Sequence, residues 1–259
     1  MQGCLAFLLA LPAVAQDRML ELYFSNDSLN GFQYSDAYET HDMGARYAWG
    51  HQFVDLNLGL VSPDMWTYRN MYRPANRSFG ELVKLSYGVK GVHEAYGSYE
   101  LMGQIKAAGN FGLDAMQDLM HELLNLQQVA HLEARVRMPS AVWFGVGAKT
   151  VIPDVCQSTD FEGNVYLGSD RASLKTGLAY QVNDWRFGVA GEHVFYDNVV
   201  SAGPIFAAYR HSIPSVYLRR ALQVFEKTVI VENRISLPTI SSDDSIFSTL
   251  SMQLELPLK

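Results

Sequence analysis

Apolar and polar residues alternate one by one along most of this chain, and a period of two places them on opposite faces of a strand. In MLELYFSND, from Met19 to Asp27, Leu20, Leu22 and Phe24 oppose Glu21, Tyr23 and Ser25. His41 to Phe53 alternates loosely. Val54 to Leu60 does so strictly, setting Val54, Leu56, Leu58 and Leu60 against Asp55, Asn57 and Gly59. Glu81 to Val89 sets Val83, Leu85 and Tyr87 against Lys84, Ser86 and Gly88, and a further strand runs through Tyr99 to Ile105. Val129 to Met138 is the cleanest case: Leu132, Ala134 and Val136 face one way, His131, Glu133, Arg135 and Arg137 the other. The period returns in AVWFGVGAKTV, ASLKTGLAYQV and WRFGVAGEHVF, around Val216 to Val224, in VIVENRISL and in IFSTLSMQLEL.

One stretch breaks the period. From Gly109 to Leu126, GNFGLDAMQDLMHELLNL fits 100° per residue, with Asp114, Gln117, Asp118, His121, Glu122 and Asn125 on one side and the leucines and methionines on the other. Asn110 suits the N-cap. Gln117 and His121, four apart, are surface neighbours. An amphipathic connector with a solvated histidine accounts for this helix as well as a site does.

The pattern predicts about a dozen strands of roughly nine to eleven residues, the length a tilted strand needs to cross a bilayer. The fold class is all-β: an antiparallel up-and-down transmembrane barrel with one short helix between strands. Four successive polar positions in Val129 to Met138 cannot face a dry core without partners, but they can line a polar lumen. The lipid-facing side is therefore expected to carry Leu132, Ala134, Val136, Leu174, Leu178 and Leu250, and the lumen Arg135, Arg137, Lys175 and Gln181. Periodicity alone does not distinguish this from a soluble barrel with the opposite orientation. Orientation rests on two further segments.

The first is MQGCLAFLLALPAVAQ, whose apolar run ends in Ala13, Val14 and Ala15, as an export signal does before its cleavage site. Its amino end carries no Lys or Arg, and a buried amino-terminal strand is the alternative. Residues 1–15 are read as a signal peptide and 16–259 as one outer-membrane barrel domain. The second is the connection from Ser62 to Gly80, where Trp66, Tyr68 and Tyr72 mix with arginines as at a membrane boundary. With Cys4 in the signal, Cys156 remains alone, so no internal disulfide or cysteine metal site is available. A net charge of -7 without a basic cluster excludes nucleic acid as a partner.

Four features in order resemble the lipid A 3'-O-deacylase family of Gram-negative outer membranes. A first strand ends in Asn26 and Asp27; a tyrosine and threonine turn follows at Tyr38 and Thr40; an arginine motif, altered to Arg77, Ser78, Phe79 and Gly80, leads into a strand; and a helix presents Gln117 and His121. The tryptophan and glutamine segment that follows the helix in that family is missing, which leaves the acidic partner unassigned, with Glu133 as a candidate. The resemblance implies a twelve-stranded monomeric barrel in the outer membrane, acting on lipid A within lipopolysaccharide among outer-membrane lipids, with a site near the outer rim. It implies a Ca2+-dependent ester hydrolase.

On that reading His121 is the general base and Gln117 orients water or donates to the oxyanion. Asn26 and Asp27 offer oxygen ligands suited to Ca2+, while Thr40 and Arg77 complete the site, Arg77 by pairing with a phosphate. These residues are expected to converge in space. Two other readings stand beside it: a phospholipase using Ser28 or Ser62 beside His121, for which no G-x-S-x-G elbow exists, and a pore or structural barrel without activity.

Overall fold

The computed structural model describes residues 18–26, 41–61, 80–94, 97–112, 140–197, 211–225, 227–236 and 247–258, with backbone alone at a few strand ends, including Asn26 and His41. Twelve strands make up the fold: β1 (Arg18–Asn26), β2 (His41–Trp49), β3 (Gln52–Val61), β4 (Gly80–His93), β5 (Gly97–Gly109), β6 (Ala141–Cys156), β7 (Thr159–Gly168), β8 (Arg171–Val182), β9 (Trp185–Asp197), β10 (His211–Val224), β11 (Lys227–Ser236) and β12 (Phe247–Leu258). Each pairs antiparallel with its neighbours in sequence, and β1 closes on β12 from Arg18↔Leu258 to Asn26↔Leu250. Closure leaves no free sheet edge, as a spanning β-structure requires. The expected all-β antiparallel barrel is what the chain forms.

The two ends differ. At one, β2–β3, β4–β5, β6–β7, β8–β9 and β10–β11 join through short turns, and both ends of the ring, Arg18 and Leu258, lie there. The β2–β3 and β8–β9 turns use left-handed backbone at Gly50 (φ 53°) and Asn183 (φ 52°), residue types that accept it cheaply, and the β6–β7 and β10–β11 turns use it at Gln157, Ser158 and Phe225. At the other end the connections are long, spanning 27–40, 62–79, 110–140, 198–210 and 237–246, with Ser169 and Asp170 alone joining β7 to β8. Short turns on one side and long connections on the other are the habit of outer-membrane barrels, whose long side faces outward.

Alternation sorts the side chains as expected. Leu174, Leu178, Phe187 and Val189 point outward, while Lys175 shares the interior with Glu162, Glu192, Glu232 and Arg234. Gln181 lies in the inward row at the short-turn end, bonded to the Asn183 carbonyl at 2.5 Å, and Leu250 lies in the outward row of β12 with Met252. Around the short-turn end the outer wall carries aromatic residues, among them stacked Tyr47 and Trp49, and Trp185 under the Arg220 guanidinium. Such a belt fits a membrane boundary.

Strand β7 is an element that the alternation did not disclose. In the other direction, the run Val129 to Met138, with Leu132, Ala134, Val136, Arg135 and Arg137, lies outside the described residues, and β5 pairs directly with β6. The expected helix, apart from Gly109 to Gly112, and the export signal also lie outside them.

Candidate functional site

The lumen is filled by paired charges. Arg46 on β2 reaches Asp55 on β3 at 3.2 Å and Glu100 on β5 at 3.0 Å, and Tyr23 donates to the other Asp55 oxygen at 2.6 Å. Across the ring Arg186 on β9 holds Asp160 and Glu162 on β7 at 2.7 and 2.8 Å, and Tyr217 on β10 also donates to Glu162. Glu232 lies between Arg219 and Arg234 at 2.6 and 2.8 Å. Between the clusters lies a polar cavity of about 620 Å³, bounded by Glu21, Arg46 and Glu100 on one side and Arg219 and Glu232 on the other. Buried acids need such partners, and Asp55 and Glu232 have them.

At the long-connection end Asp170, fully buried, accepts from Lys106 at 2.7 Å and Tyr166 at 2.8 Å. The short β7–β8 turn is thereby fastened to the inner wall of β5.

The outer wall at the same end behaves differently from the band below it. Leu56, Leu85, Ile105 and Phe144 form one cross-strand row from β3 to β6 and are 43 to 62% exposed, as lipid-facing positions are. Four residues further toward the rim, Leu60, Glu81 and Gly109 form the corresponding outward row of β3, β4 and β5. There Leu60 is 3% and Glu81 2% exposed. The chain leaving β5 contributes to this cover. Phe111 lays its ring over the outward face of Gly109, 3.1 Å from where a Cβ would stand, and donates its N–H to Glu81 Oε2. Gly112 then takes the left-handed conformation, φ 81°. The described start of the connection, through Phe111, thus lies over the outer wall.

Of the residues singled out from sequence, Asn26 is the last residue of β1 at the long-connection end, paired with His41 and Leu250. Its side chain, and all of Asp27, Thr40, Arg77, Gln117 and His121, lie outside the described residues, as do Ser28, Ser62 and Glu133. What the fold fixes is where their connections start and end. Asp27 and Thr40 belong to the β1–β2 connection, Arg77 to β3–β4, and Gln117 and His121 to β5–β6. These are successive junctions at one end of the barrel, on the arc from β1 to β6. Among the described residues no group of three or more His, Cys, Asp or Glu is arranged to hold a metal ion. Asn26 and Asp27 fit a hard cation by donor chemistry alone.

Sequence reasoning passed over Glu81. The signal was present: Glu81 stands in register with Val83, Leu85 and Tyr87, an acid at the head of an otherwise apolar row.

A closed twelve-stranded antiparallel barrel with an apolar belt and a charged lumen defines a protein of outer-membrane barrel type. Among solved structures the fold is similar to LpxR from Salmonella typhimurium, at a TM-score of 0.67 and 10% identity over 92% of this chain and 99% of that one. The KdgM porin in complex with disordered oligogalacturonate (TM-score 0.47, 6% identity, 93% of this chain and 99% of that one) and the CymD monoaromatic hydrocarbon channel (0.43, 9%, 93% and 88%) are more distant. No protein-family model matches the chain, and no curated protein matches it in sequence.

Proposed function

We propose that this protein is an outer-membrane hydrolase that removes a 3'-linked acyl chain from lipid A, working at the outer rim between the barrel wall and the membrane. The observation that carries the reading is the convergence of connections. Residues far apart in sequence, matched in order to one family's motifs, all belong to connections that spring from the same end and arc of the ring. The fold shared with LpxR supports it at the level of architecture alone. So does the outward departure of the chain after β5, because a lipid substrate arrives along the wall and not through the lumen.

In this reading His121 takes the proton of a water molecule as that water attacks the ester carbonyl, and later returns it to the departing sugar oxygen. Gln117 orients the water or donates to the oxyanion, Thr40 completes the polar lining, and Arg77 pairs with a lipid A phosphate. Asn26 and Asp27 would hold Ca2+, which when bound would polarise the carbonyl.

Mass spectrometry of lipid A from Gram-negative cells expressing the protein tests this directly. Wild type is expected to produce lipid A lighter by the whole acyl group esterified at the 3' position, with any secondary chain that group carries, and His121→Ala, folded to the same level, is not. Unaltered lipid A in cells carrying folded wild-type barrel would refute the activity.

A further inference from the structure

Burying a carboxylate on the outer wall of a membrane barrel is costly unless donors meet it. The neighbouring strand uses leucine in the same row, Leu60, and β4 could have done likewise; it carries Glu81 instead, 2% exposed. At this height β5 ends. Gly109 still pairs with Glu81, but Asn110 and Phe111 have left the ladder, so the N–H of Phe111 has lost its strand partner and needs another acceptor. Glu81 Oε2 supplies it. A bond from a backbone N–H to an ionised carboxylate is among the stronger kinds available to a protein.

The geometry points to a role that sequence motifs did not assign: we propose that Glu81 is a positioning residue that ties the start of the 110–140 connection to the outer wall of β4. By fixing where that connection departs, it bears on the connection that carries Gln117 and His121, a consequence that rests on the deacylase reading above. Two neighbours make the tie specific. Glycine at 109 leaves room for the Phe111 ring, whose tip lies 3.1 Å from where a Cβ would stand, and glycine at 112 permits the turn that follows.

The test uses the full-length barrel in liposomes containing lipid A, with Glu81→Ala, Glu81→Gln and Gly109→Val. Hydrogen exchange at the Phe111 amide reads the tie itself, and deacylation kinetics read its consequence. Glu81→Ala should raise the exchange rate about ten-fold or more, the effect of losing one hydrogen bond to a charged group. It should lower kcat by a similar factor with little change in KM. Glu81→Gln, which keeps a carbonyl acceptor, should retain most of both. Gly109→Val leaves Glu81 intact but displaces Phe111, so it should reproduce the alanine phenotype and provides the same reading if Glu81→Ala fails to fold. Wild-type protection at Phe111 in folded Glu81→Ala, or in Gly109→Val, would overturn the proposal. Protection lost in both variants of a wild-type protein that deacylates nothing would instead refute the activity and leave the tie standing.

Discussion

Arg46 shows what a single residue does in this lumen. Its guanidinium bridges Asp55 and Glu100 and lies over the Phe53 ring at 4.4 Å, so three strands are fastened through one side chain. Arg46→Ala takes the guanidinium from two acids, leaving Asp55 to the Tyr23 hydroxyl and Glu100 to Lys149 at 3.9 Å. We expect a loss of about 3 kcal/mol, the low end for removing one partner of a buried pair because the cavity is polar, read by urea unfolding in liposomes. Arg46→Lys should fall between, since an ammonium cannot grip two carboxylates as a planar fork does. The inward orientation of such residues was legible from their alternation with leucines. Their partners were not, because pairing across strands depends on register and on which distant strands face each other. The candidate site divides in the same way. Asn26 and Asp27 could be singled out at a strand end by type, whereas Glu81 looked like an ordinary strand residue until the exit of β5 was seen to turn onto it. For Asp27 the expectation is chemical: EDTA should abolish deacylation and Ca2+ restore it, and Asp27→Ala should be inactive while keeping the heat-modifiable gel shift of a folded barrel. Full activity in excess EDTA would remove the ion from the scheme.

Strands were legible where the two rows contrast strongly. In β8 Leu174 and Leu178 oppose Lys175 and Gln181, and their opposite orientations followed from sequence. Strand β7 escaped because its rows blur: Gly163 stands among Phe161, Val165 and Leu167, and Tyr166 among Asp160, Glu162 and Asn164. The run with the sharpest contrast in the chain, Val129 to Met138, lies outside the described residues, and among the described ones β5 pairs directly with β6. The two faces make a prediction at this scale. Leu178, 47% exposed in the lipid-facing row midway along β8, should tolerate Ile but not Arg, with Leu178→Arg costing about 2 to 4 kcal/mol. The inward Gln104, bonded to Ser86 at 3.2 Å, should accept Gln104→Arg with a much smaller loss. Equal losses for both substitutions in urea titrations would mean that the faces are assigned the wrong way round.

Taken as a whole, the molecule presents two surfaces that an outer-membrane barrel can use, and the pore and enzyme readings use different ones. A pore needs a continuous water path with charges that guide solute. Here acids and bases answer each other across the interior, with Arg46 on β2 joined to Glu100 on β5 and Tyr217 on β10 to Glu162 on β7. The cavity that Arg46 and Glu100 bound on one side and Arg219 and Glu232 on the other is about 620 Å³ and carries both signs on its walls, which favours no ion of either charge. An enzyme acting on lipid needs instead a polar group shielded on the outer wall near the headgroups, and the row containing Leu60 and Glu81 is where that wall ceases to be exposed. Purified protein in planar bilayers should therefore show no steady, ohmic conductance, and Arg46→Ala combined with Arg219→Ala should raise conductance by loosening both sides of the cavity. Large stable openings in the wild type, with lipid A left intact by the same preparation, would decide for the pore, because solute would then be crossing a lumen that the paired charges are expected to close.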